Sequence, residues 1–151
     1  LDEDALRTKF ESLHGLGFFR DFSDAEVWSL VRASNWDTYP PGHVIIEEGQ
    51  SDNAFYILLA GQADIRKHDQ VIETLKEGDC FGEMGFLSAT ERTATVTART
   101  DVSLIRVNKA TLDRADETTQ LRFLKVFVGV IIDRLKQTTG MLSEHARDQA
   151  G

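Results

Sequence analysis

Cysteine occurs only once in these 151 residues, at Cys80, which rules out an internal disulfide and points to an intracellular protein or a domain of one. Cys80 itself reads as a small buried apolar residue. Basic residues are scarce, 17 Lys and Arg against 25 Asp and Glu, and the net charge of -8 repels DNA, RNA and anionic lipid. No block of consecutive Lys and Arg offsets this, so no nucleic-acid or membrane partner is expected. Long apolar runs are also missing. The longest, Val126 to Ile132, is broken by Gly129 and is far too short to span a membrane. Nothing at the N-terminus resembles a signal peptide. Residue 1 is Leu rather than Met, which suggests a piece of a longer, cytoplasmic protein whose output domain lies elsewhere.

What remains is enough for one domain, since a chain of this length buries roughly 68–70% of its unfolded surface. Ser23 and Glu26 have the spacing of a capping box, with Phe22 and Val27 as its hydrophobic staple, and predict a helix to about Ala33. Leu6, Phe10 and Leu13 recur at helical spacing before it, ending in Gly15-Leu16-Gly17. Tyr39-Pro40-Pro41-Gly42 then stops helix formation. Short β-branched or aromatic runs follow: 44–46, 55–59, 63–65, 71–75, 93–98 and 102–107. Glycines at 49, 61, 78 and 82 help separate them, which indicates an antiparallel sandwich or jelly roll.

Helical periodicity returns over 109–115 and from about Thr118 to Ser143. Leu121, Leu124, Val128, Ile131, Leu135, Thr138 and Leu142 alternate three and four apart, an a/d pattern, beside a second row of Phe123, Phe127 and Val130. Either one row covers the β-core and the other is free for a partner, or both form one broad buried face. The expected layout is therefore a helical segment 1–35, a β-roll 36–108 and C-terminal helices 109–151.

The stretch from Gly78 to Val96 interrupts the strands. Gly82 allows close backbone approach to a ligand, and Glu83 to Leu87 has the composition of one helical turn whose free N–H groups can face an anion. Arg92, predicted to re-enter a strand, can grip a phosphate with two parallel bonds, and Glu83 can accept a hydrogen bond from a ribose 2′-OH. Each signal alone is weak. A Glu and an Arg nine apart are more often a surface ion pair.

In order, however, Phe81-Gly82-Glu83-Met84 and Arg92-Thr93-Ala94-Thr95 resemble the phosphate-binding cassette, here within 78–96, of the cyclic-nucleotide-binding family. Pro41-Gly42, Glu48-Gly49, Phe55-Tyr56-Ile57 and Gly61 resemble that family's other landmarks. The resemblance implies an eight-stranded antiparallel β-roll with flanking helices, mainly β with an α+β character. It implies cAMP or cGMP as ligand, with Gly82 and Glu83 on the ribose, Arg92 on the cyclic phosphate, and Phe81, Met84 and Thr93 beside them.

The long last helix resembles the family's hinged lid. Arg134-Leu135-Lys136-Gln137-Thr138-Thr139 is similar to a segment whose hydroxyls reach the adenine, which makes Thr138 and Thr139 candidate base readers. Their other reading is polar seam positions in a helix pair. Thr93 leaves the base open, because cGMP sites and cAMP-preferring channels both carry Thr there. The implied role is a non-catalytic sensor coupled to an output domain, with a homodimer through the C-terminal helix as a further expectation. A nucleotide-independent scaffold with the same fold is the alternative. A jelly-roll metalloenzyme is disfavoured: His14, His43, His68 and His145 are dispersed, with no His-x-His pair, and no metal is expected.

Overall fold

The computed structural model describes residues 3–88 and 91–150, without the side chains of 137–150. The chain opens with helix α1 (Glu3–His14), a 3-10 turn (Gly17–Phe19) and α2 (Asp24–Ala33). Eight strands follow: β1 (Asn35–Tyr39), β2 (Val44–Ile46), β3 (Phe55–Ala60), β4 (Ala63–Lys67), β5 (Gln70–Leu75), β6 (Cys80–Phe81), β7 (Thr95–Ala98) and β8 (Val102–Val107). Helix α3 (Glu83–Ser88) interrupts them between β6 and β7, and α4 (Lys109–Asp113) and α5 (Glu117–Ala150) close the chain.

The strands form two four-stranded antiparallel sheets, ordered β1-β8-β3-β6 and β2-β7-β4-β5. Side chains alternate across a strand, and this splits the core in two. Tyr56 and Leu58 of β3, with Val102 and Leu104 of β8, turn toward the second sheet and meet Ile46, Ala63, Leu75 and Val96. Phe55 and Ile57, with Ile105 and Val107, turn outward under the helices and meet Phe19, Phe22, Val27, Phe86, Phe123 and Phe127. Because both faces are covered, the first four residues of β3 are all buried.

Two strands lie where no strand was expected from the residues: β1, in register with β8 from Asn35 opposite Arg106 to Tyr39 opposite Val102, and the two-residue β6. The run expected over 93–98 is a strand only from Thr95, so Arg92 does not re-enter a strand but sits in the loop before β7. The backbone there is pinned otherwise. The Arg92 N–H donates to Gln50 O at 2.8 Å, and the Gly49 N–H donates to Arg92 O at 2.8 Å.

The capping box is as predicted. Ser23 N donates to Glu26 Oε1 at 2.9 Å and Glu26 N to Ser23 Oγ at 3.2 Å. The same carboxylate also reaches α5: Thr119 Oγ1 donates to Glu26 Oε2 at 2.8 Å, and Arg122 Nε donates to it at 3.1 Å. Glu26 thereby joins the N-terminal helices to the base of the last helix. Burial pushes its carboxyl up, but the Ser23, Thr119 and Arg122 contacts outweigh this and leave it below its ordinary value of 4.5.

A depressed carboxylate stabilises the fold above its ordinary pKa, and that contribution is lost as pH falls below 4.5 toward the folded value. Glu26→Gln should cost about 1–2 kcal/mol at neutral pH and flatten the acid limb of the stability curve, measured by denaturant melts between neutral pH and pH ~3. An acid limb as steep as wild type would show that Glu26 is not the group responsible.

The two apolar rows of α5 separate in the main, with Val130 and Ile131 both half-buried between them. Phe123 and Phe127 are 1% and 0% exposed against the outer face of the first sheet, while Leu121, Leu124, Val128 and Leu135 of the a/d row are 44–61% exposed. Thr138 and Leu142 of that row lie outside the described side chains. No helix among the described residues is long and apolar enough to cross a membrane.

Candidate functional site

The interrupted stretch builds a cavity of about 310 Å³ between the second sheet, α3 and α5. Its walls include Ile46, Ile65, Phe81, Met84, Thr93 and Arg134. That volume suits a small ligand of nucleotide size. Phe81, on β6, is buried and stacks on Tyr56 with ring centroids 5.1 Å apart. Gly82 holds φ +81, and a Cβ there would meet Arg92 Nη1 at 3.1 Å, Tyr56 at 3.2 Å and Ala54 O at 3.3 Å, so the position requires glycine on conformation and space alike.

Glu83 follows at the start of α3 and is 1% exposed. Its Oε1 accepts from Arg134 Nη1 of α5, whose Nη2 donates to Cys80 O at 2.8 Å and whose Nε lies 4.0 Å from Glu73. Its Oε2 is buried with no hydrogen-bond partner among the described residues. A buried carboxylate oxygen without a donor is costly.

Arg92 is 6% exposed and turns inward. Nη1 donates to Gly82 O at 2.7 Å, and Nη2 donates to Asp52 Oδ1 at 3.0 Å and to Ala54 O. Its Nε is buried and unpaired. Gly85 makes room for this: a Cβ there would lie 2.5 Å from Arg92 Nη1 and 2.9 Å from Cζ. The family resemblance gave Gly85 no such duty. The glycine lets the guanidinium lie flat against the cassette helix.

Met84 is 58% exposed at the cavity rim, and Thr93 is exposed beside it, its carbonyl accepting from Lys67 Nζ at 2.8 Å. Phe81, Gly82, Glu83, Met84, Arg92 and Thr93 thus come together around one cavity. Thr138 and Thr139 lie outside the described side chains.

Reasoning from sequence missed two groups. Asp52, forty residues before Arg92, takes the Ala54 N–H at 2.8 Å, the Tyr56 hydroxyl at 3.1 Å and Arg92. Burial raises its carboxyl, but these partners prevail and hold it below the usual carboxylate value. Arg134 was noted only as the head of a similar segment, not as the partner of Glu83. An Asp just ahead of an aromatic strand was the one available signal for the first; nothing local signalled the second. Cys80 is buried as expected, and burial, then the nearby Glu83 charge, pushes its thiol well up, which makes it unreactive. No group of His, Cys, Asp and Glu among the described residues could hold a metal.

The sequence model of the cyclic nucleotide-binding domain matches residues 36–118. The chain is 32% identical over 119 residues to a cAMP-dependent protein kinase regulatory subunit of Yarrowia lipolytica, covering 78% of this chain and 28% of the relative. It is 28% identical over 126 residues to a cGMP-dependent protein kinase of Toxoplasma gondii, covering 83% and 12%. It therefore spans less than a third of the length of either relative. The crystal structure of a cyclic nucleotide-binding domain from Methylobacillus flagellatus superposes with a TM-score of 0.81 at 17% identity, covering 94% of this chain and 84% of that one, a likeness of fold. With a family match over more than half its length, the chain belongs to the cyclic nucleotide-binding domain family.

Proposed function

We propose that the cavity beneath α5 binds a 3′,5′-cyclic nucleotide and that the chain serves as the regulatory sensor of a larger protein. One observation carries the reading. The two unpaired buried atoms belonging to residues of this cavity are an acceptor, Glu83 Oε2, and a donor, Arg92 Nε, and those are what a ribose hydroxyl and a phosphate require. Glu83 accepts the 2′-OH, Arg92 pairs with the cyclic phosphate, and Gly82, Met84 and Thr93 offer backbone N–H groups alongside. Arg134 reports occupancy to α5, because it shares Glu83 with the sugar. A ligand shifts α5 only by as much as it binds one position of that helix better than another.

cAMP is the ligand we favour, with cGMP the alternative. The relatives include both a cAMP-dependent regulatory subunit and a cGMP-dependent kinase. Calorimetric titration of each nucleotide into the wild-type chain and Glu83→Ala tests the assignment. Loss of a charge-assisted bond of about 1.5–3 kcal/mol should weaken binding roughly tenfold to more than a hundredfold. Unchanged affinity in the variant would refute the ribose role, and no binding of either nucleotide at millimolar concentration would favour a scaffold of the same fold.

The exposed row on α5 supports a second element of the reading, a homodimer through that helix. Leu121, Leu124, Val128 and Leu135 leave a stripe of apolar surface with coiled-coil spacing facing water. Sedimentation should find a dimer that Leu124→Glu with Val128→Glu turns into a folded monomer. A monomeric wild type at high micromolar concentration would remove the dimer from the proposal.

A further inference from the structure

Thr93 stands between Arg92 and β7, ahead of the ladder that begins with Arg66 opposite Thr95. Peptide units are planar and trans, so the backbone at one residue is fixed once the two peptide planes that flank it are fixed. The first plane is pinned from the turn after β2, where the Gly49 N–H donates to Arg92 O at 2.8 Å. The second is pinned from β4, where Lys67 Nζ donates to Thr93 O at 2.8 Å. Lys67 thus completes the backbone conformation of Thr93, which lines the nucleotide cavity beside Arg92.

Lys67 is itself held in place. Its Nζ lies 3.7 Å from Glu48 Oε1, and the Glu48 N–H donates to Thr95 Oγ1 at 3.0 Å. Because β2 and β4 flank β7 on opposite sides, the ammonium reaches across the end of the sheet, from one neighbour of β7 to the turn that follows the other. A lysine free in solvent samples many rotamers, and the carboxylate on the far side selects those that span Thr93. Without this strut, the second peptide plane is loose, and the direction of the Thr93 side chain is loose with it.

We infer that Lys67 is a positioning residue for the cyclic phosphate, acting through Thr93 O to set where the Thr93 hydroxyl and N–H meet the ligand. This rests on the reading of the cavity as a cyclic-nucleotide site. A lysine at this place could act by charge or as a strut, and the two roles predict opposite signs at Glu48. If the charge of Lys67 attracted the phosphate, Glu48 would be a nearby anion opposing binding, and neutralising it would strengthen binding. As a strut, Lys67 depends on Glu48, so neutralising Glu48 weakens binding although a negative charge leaves the neighbourhood of an anion site. Attraction between exposed charges also fades with salt, whereas the placement of a peptide plane does not.

Calorimetric titrations of cAMP and cGMP into the full chain, at about 0.1 M and about 0.5 M KCl, compare wild type with Lys67→Met, Lys67→Arg and Glu48→Gln. Lys67→Met should bind roughly tenfold more weakly at both salt concentrations, and Lys67→Arg should recover most of the loss. Glu48→Gln should bind about twofold to threefold more weakly. Thermal melts of all three should stay near wild type, since Lys67 and Glu48 are 40% and 45% exposed. Added to Thr93→Val, which lacks the hydroxyl, Lys67→Met should cost less than it does alone. Should Lys67→Met fail to fold, the sign of the Glu48→Gln effect decides. Wild-type affinity in Lys67→Met, a loss that disappears at high salt, or tighter binding by Glu48→Gln overturns the inference while leaving the nucleotide site standing. A wild type that binds neither nucleotide removes the site, and the role of Lys67 with it.

Discussion

Arg92→Ala is expected to abolish measurable cyclic-nucleotide binding and to lower the stability of the unliganded chain as well. Removing one partner of a buried charge pair costs about 3–5 kcal/mol, or roughly a hundredfold to several thousandfold in affinity. The stability effect has a separate origin. Without the guanidinium, Gly82 O and Ala54 O lose their donor, Asp52 loses its cation, and the space against Gly85 stays empty. Asp52 would then rise toward the ordinary carboxylate range, so the variant should unfold at a higher pH on the acid side than wild type.

Arg92→Lys separates the two effects. A lysine keeps the charge but lacks the fork, so it can answer Asp52 without also holding the two carbonyls. Its melting temperature should lie between those of wild type and Arg92→Ala, while nucleotide affinity stays close to that of Arg92→Ala. Calorimetry and thermal melts on the three proteins check both halves. If Arg92→Ala bound either nucleotide with wild-type affinity, the phosphate would have to be held elsewhere.

How much of this could be read in advance differs from residue to residue. Ser23 and Glu26 announced their helix because a capping box is local, four residues long and chemically explicit. The second use of Glu26, on Thr119 and Arg122, spans more than ninety residues and leaves no trace in any window of the chain. β1 was missed for a related reason. Asn35-Trp36-Asp37-Thr38-Tyr39 alternates strand-disfavouring Asn and Asp with strand-favouring Trp, Thr and Tyr, and pairing with β8 decides for the strand. The cassette was legible as an ordered string, yet Arg92 was expected in a strand and instead stands ahead of one, because the Gly49 turn rather than a full ladder fixes its backbone. Two apolar rows on α5 were visible as periodicity. Which of them faced the core depended on the phenylalanines of distant elements.

That choice of row predicts the other large effect. Phe127→Ala should destabilise the chain by about 3–5 kcal/mol, the usual cost of emptying a fully buried aromatic site. Phe127 is 0% exposed, and its ring lies 4.8 Å from Phe55 on β3 and 5.5 Å from Phe86 on the cassette helix. Phe55 and Phe86 also meet edge to face at 5.1 Å. Sheet, cassette and last helix therefore share one aromatic contact, and a cavity there removes partners from all three. Leu121→Ala, on the same helix but the exposed row, should cost within ~0.5 kcal/mol at concentrations where the chain is monomeric. Denaturant melts of the two variants compare the faces directly, and equal losses would mean that α5 packs through the wrong row. The contrast extends to signalling. Phe127→Ala should leave the Glu83 and Arg92 contacts to nucleotide in place, so affinity should fall less than in Arg92→Ala, while hydrogen exchange in α5 becomes fast and nearly insensitive to ligand. Were α5 to remain protected and ligand-responsive in that variant, the helix would be coupled to the site through Arg134 alone and not through the aromatic contact.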